Sequence, residues 1–213
     1  MKRDQKHTAV ERIAQILSDV FSPIVLPAYM MAVAMWMTPL VAMPEKARFV
    51  AMGIVVFLTA IVPTATILTL IKLGRVSDVS LSSRSERTLP YLVTIISYLA
   101  TVIFLKYIST PHWLPAFYLG AAGASVVASI ITMRWKISAH GSAVGGFATG
   151  IIWLAMHGLL LVGARWWVCG AILLCGLIGT ARLILKRHTP AQVYAGVALG
   201  ALAVTVALIL TNN

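Results

Sequence analysis

The sequence predicts an all-α, polytopic integral membrane protein, a helical bundle of six to seven transmembrane helices. Composition is the first reason: of 213 residues, 60% are hydrophobic and 11% charged, and mean hydropathy is +0.91, far from the balance of a soluble domain. The second is the length of the apolar runs. They are about 20 residues long, enough to cross a hydrocarbon core as helices, and lack the ten-residue alternation of membrane barrel strands. The third is that their connections are short, which leaves no separate soluble domain.

In chain order, residues 1–21 read as an N-terminal amphipathic interfacial segment. Val10, Ile13, Ala14, Leu17 and Val20 recur at helical spacing, with Glu11, Arg12 and Asp19 elsewhere, the pattern of a helix lying on a membrane surface. Residues 22–213 read as a single transmembrane domain. Its apolar runs fall at about 22–43, 49–71, 89–108, 113–133, 143–163, 166–185 and 190–210, giving seven candidate spans. The runs on either side of Arg165 imply a very tight turn, and Ser109, Thr110 and Pro111 mark a hairpin. Trp166-Trp167 and His112-Trp113 read as interfacial aromatic anchors. His157 is the one ionisable group expected near mid-membrane depth, hydrogen-bonded to a neighbouring helix.

Charge is distributed unevenly. The net charge is +11, from 17 Lys and Arg against six acids. Counting spans puts the segments 72–88, 134–142 and 182–189 on the side of the N-terminus, with thirteen cations there and four opposite. Two explanations remain open: the positive-inside rule, and an anion site built from these cations. The first makes this face cytoplasmic, in a bacterial inner membrane. No carboxylate follows Glu86, which weighs against divalent-metal chemistry, since hard cations take oxygen ligands. The surplus of cations calls for an anionic partner. Lipid headgroups fit, and nucleic acid does not, because the cations lie between membrane spans.

The three segments carry the chemistry. In the first, Arg84 and Arg87 are three apart and would share a helical face, able to grip one phosphate, with Asp78 or Glu86 orienting a guanidinium; a lipid-attracted basic loop explains the same residues. The second runs Lys136-Ile137-Ser138-Ala139-His140-Gly141-Ser142 and places His140 at a helix N-terminus, where N–H groups favour an anion. In the third, Thr189, Pro190 and Gln192 fit N-cap, N1 and N3 of the last helix, with His188 just before it. Gln192 could close the capping box, orient His188, or do both.

These residues resemble the phosphatidic acid phosphatase type 2 superfamily over roughly residues 72 to 200. Arg182, five residues, His188 matches the spacing of its third motif; Ser138 and His140 match the Ser and His of the second; Arg87 matches the arginine of the first. Departures accompany the match. Ser80 replaces the first motif's Lys and Thr88 its Pro, Ile137 and Ala139 the second motif's Pro and Gly, Ala181 the third motif's Ser, and Gln192 its Asp. The resemblance implies a metal-independent, cofactor-free phosphatase of a membrane lipid phosphate or polyprenyl diphosphate. His188 would be the nucleophile and His140 the acid and base. Arg87, Arg182, Ser138 and one of Arg84 or Lys136 would hold the phosphoryl oxygens. A neutral amide at Gln192 cannot stabilise an imidazolium as a carboxylate does and could select the wrong tautomer, so slow or altered chemistry, or a non-catalytic binder or transporter of phosphorylated lipid, is the other expectation.

Overall fold

The computed structural model describes residues 8–76 and 88–211. Helix α1 (Ala9–Val20) opens with a complete capping box, Thr8 accepting from Glu11 N and Glu11 reaching back to Thr8 N. Helix α2 (Leu26–Met37) and a 3-10 turn (Pro39–Ala42) follow. Six long apolar helices come next: α3 (Glu45–Lys72), α4 (Thr88–Tyr107), α5 (Trp113–Thr132), α6 (Ala139–Met156), α7 (Ala164–Ile184) and α8 (Pro190–Leu210). Each of these six is long and apolar enough to cross a membrane. Their outer faces display large apolar side chains such as Ile103, Leu173, Leu202 and Ile209, a surface suited to lipid.

The seventh expected span is the one that changes. Run 22–43 contains a helix of only 12 residues, about 18 Å long. Proline sets both limits. Pro27 has no N–H for the carbonyl of Pro23, so the helix cannot run back into α1; Tyr98 Oη donates to that orphaned carbonyl instead, at 3.4 Å. At the other end Thr38 is extended because Pro39 follows it. Tyr118 Oη donates to Pro27 O at 2.8 Å, fixing the break within the core formed by Met30, Met31, Leu114, Phe117 and Ile151.

Helix α3 carries a π-turn at Phe57–Ile61, just before Pro63, whose ring excludes the carbonyl of Thr59 from regular α geometry. Several helices end in Schellman closures. Arg75 N donates to Leu70 O, Thr110 N to Leu105 O, Leu159 N to Leu154 O and Arg187 N to Arg182 O, with Gly74, Ser109, Gly158 and Lys186 at positive φ. These closures produce the sharp reversals that the short connections require.

Three further expectations are corrected. Run 143–163 ends as a helix at Met156, because Gly158 turns the chain, so the turn before α7 is longer than the tight one expected. His157 is therefore not at mid-depth: it caps the end of α6, with Nδ1 2.8 Å from Trp153 O of its own helix and its ring stacked on Trp153. Trp113 is a core residue, 8% exposed and 6.3 Å from Trp153 between ring centroids, not an exposed anchor; Trp166 is 73% exposed.

The closest helix pair is α6 with α8, and glycine makes the approach possible. A Cβ at Gly145 would collide with Val197 O, at Gly196 with Ser138 O, and at Gly200 with Ser142 O. Ser138 N also donates to Gln192 O at 3.2 Å. Together these contacts hold the first turns of α6 and α8 side by side.

Candidate active site

His140 lies in the first turn of α6 and His188 two residues before α8, so the α6–α8 contact brings both histidines to one end of the bundle. The Schellman closure at Lys186 reverses the chain after Arg182 and returns Arg187 and His188 toward the same place. A cavity of about 440 Å³ opens there, with His140, His188, Arg182 and Arg187 on its wall. Arg182 and His188 both act electrostatically on His140. From this charged end the cavity continues inward past Ala128, Ala124 and Ala121 to Phe117 and Tyr98. Along α5, Ala128 to Phe117 is about 16 Å. One end thus carries charged side chains, the cations together with Asp19, and the other is apolar.

Two hydrogen bonds set the tautomers of the histidines. Gln192 Oε1 is 3.2 Å from Thr189 N and 3.1 Å from His188 Nδ1. A backbone N–H can only donate, so the atom facing it is the amide oxygen, and Nδ1 must carry the proton that this oxygen accepts. The lone pair of neutral His188 is then on Nε2. The concern that an amide selects the wrong tautomer does not apply in this geometry, and Gln192 both caps and orients. His140 Nε2 is 3.0 Å from the carbonyl of Ser18, so that nitrogen carries the proton and Nδ1 is the nitrogen left for exchange.

Of the other expected site residues, Ser138 is fully buried and its Oγ accepts from Gly141 N as the N-cap of α6. Neither Ser138 nor Lys136 is on the cavity wall. The hydroxyl of Ser138 serves the helix end. Arg84, Arg87 and Asp78 lie outside the described residues. Among the described residues no three His, Cys, Asp or Glu side chains converge as a metal site.

Sequence reasoning found the helix α1 but missed its place in the site. The helix packs along α7 with Ala14 and Ser18 buried, and it gives Gln15, Ser18 and Asp19 to the cavity wall. Gln15 Nε2 donates to Asp19 Oδ1 at 2.8 Å. Glu11, Gln15, Ser18 and Asp19 form a polar stripe at helical spacing, but a helix lying on a membrane presents such a face as well, so the stripe does not separate the two. Arg187 was likewise not singled out, since only the reversal at Lys186 aims it inward.

Comparison with family models, with curated proteins and with solved structures finds no match for this chain.

Proposed function

We propose that the protein is a metal-independent phosphatase of membrane lipid phosphates or polyprenyl diphosphates, of the type found in the phosphatidic acid phosphatase type 2 superfamily. One observation carries the reading: two histidines with assigned, complementary tautomers meet Arg182 at the charged end of a cavity whose other end is apolar. A lipid phosphate has that same division of chemistry along its length.

In the proposed mechanism His188 Nε2 attacks phosphorus, with Nδ1–H held by Gln192. The substrate enters as its monoanion and passes its acidic proton to the Nδ1 lone pair of His140; the bond from phosphorus to the ester oxygen then breaks as the phosphorus–nitrogen bond forms, and the leaving alkoxide takes that proton from His140 Nδ1. Arg182 balances the charge on the phosphoryl oxygens. Water then attacks the phosphohistidine, passing its proton to His140 Nδ1, which returns it to the departing inorganic phosphate, so that both histidines are restored. The Ser18 carbonyl holds the Nε2–H of His140 through both steps.

The test is phosphate release by the full chain in detergent with EDTA, across a panel of lipid phosphates and diphosphates, beside His188→Ala and His140→Ala. Release that survives EDTA and vanishes in both variants supports the reading. The amide at Gln192, which carries no charge to stabilise an imidazolium, favours a second reading: a binder or transporter of phosphorylated lipid. Phosphate binding without release from any substrate would select it.

A further inference from the structure

Ser18 is 1% exposed, lies on the cavity wall, and its hydroxyl has no hydrogen-bond partner. Three other hydroxyls on that wall behave differently. Thr59, Thr94 and Ser125 each donate to the carbonyl four residues earlier, at 2.8, 2.9 and 2.9 Å, the usual outlet for a hydroxyl in an apolar helix. A buried polar group left without a partner is uncommon and costly. Ser18 is also next to the reacting groups, because its own carbonyl is 3.0 Å from His140 Nε2. That carbonyl is itself one of those a helix C-terminus leaves over, α1 ending at Val20. The residue therefore presents an acceptor already used by His140 and, a few ångströms away, a donor not yet used.

We propose that Ser18 is a substrate-binding residue of this site, its hydroxyl donating to an oxygen of the bound phosphoryl group while its carbonyl positions His140. The proposal rests on the phosphate-site reading given above. It makes α1 part of the site's working machinery: this helix closes the cavity on the side of α7, and its last turn touches both His140 and substrate. Arg182 contributes charge to the phosphoryl group and Ser18 contributes a directed donor.

The experiment measures binding of inorganic phosphate to the purified full chain by calorimetry, and lipid phosphate hydrolysis on the same preparations, for the parent, Ser18→Ala and Ser18→Cys. Both variants are expected to raise the Kd for phosphate, and the KM for the lipid, about tenfold, the size of one hydrogen bond to a charged group. Thermal midpoints should stay at the parent value; Ser18→Cys keeps the side-chain volume, so any packing effect of Ser18→Ala is separable. Kd and KM within twofold of the parent in both variants overturns the role of Ser18 and leaves the phosphatase reading intact. Serine-dependent phosphate binding without hydrolysis by the parent does the reverse. Absence of phosphate binding by the parent overturns both.

Discussion

His188 Nδ1 and Gln192 Oε1 are 3.1 Å apart, and the same oxygen is 3.2 Å from Thr189 N. A single amide oxygen thus closes the N-terminus of α8 and fixes the proton of the adjacent histidine on Nδ1. Gln192→Ala removes both functions. It is expected to lower kcat for lipid phosphate hydrolysis by at least tenfold through loss of tautomer control, and to destabilise by about 1 kcal/mol through loss of the cap. Gln192→Glu keeps the reach and adds charge beside the imidazolium, so kcat should rise. An unchanged kcat in Gln192→Ala would mean that Nδ1 is held by something else.

The apolar length of the cavity makes a separate prediction about substrate. Ala124 and Ala128 are 5% and 2% exposed and face the inner channel. Ala124→Phe should fill the space proposed for a lipid tail. The expected result is a KM for long-chain lipid phosphate raised at least tenfold, with hydrolysis of a short, soluble phosphate ester unchanged. Equal loss on both substrates would mean that the tail does not enter this channel.

Spacing between the histidines depends on the contact of α6 with α8. A Cβ at Gly200 would run into the backbone carbonyl of Ser142, whereas one at Gly176 has nothing within 4 Å. Gly200→Ala is expected to destabilise by about 1–3 kcal/mol and to reduce hydrolysis as His140 and His188 separate. Gly176→Ala should leave activity at the parent value. Thermal midpoints in detergent and kcat on the two variants check this, and parity between them would count against backbone contact as the organising feature.

Lys186 occupies left-handed backbone, φ 51°, at the position of a Schellman closure where glycine is the usual residue. Lys186→Gly relieves the Cβ penalty and should stabilise by roughly 0.5–1 kcal/mol. The check is a higher thermal midpoint with unchanged kcat. A lower midpoint would show that the Lys186 side chain contributes more than its backbone strain costs.

How much of this was legible in the sequence depends on how local its cause was. The capping box at Thr189, Pro190 and Gln192 could be read directly because N-cap, N1 and N3 sit within four residues. The six long spans followed from hydropathy alone. The break in run 22–43 had a local cause in Pro23, Pro27 and Pro39, yet its apolar composition hid it. Ser138 was read as a phosphate ligand because spacing matched a motif, and the structure adds that its Oγ accepts from Gly141 N as the N-cap of α6. The part played by α1 was beyond sequence reasoning of this kind: a helix with one apolar face can lie on a membrane or pack on α7, and only tertiary contact places Ser18 O against His140 Nε2.

The most direct measurement is to trap the covalent intermediate. The full chain is incubated with lipid phosphate labelled on phosphorus, quenched in alkali, which preserves phosphohistidine, and its peptides are mapped by mass spectrometry. Phosphate is expected on Nε2 of His188, absent in His188→Ala and accumulating in His140→Ala if any first step survives. Turnover with no label on His188, or label that persists at another residue when His188 is replaced, would contradict it.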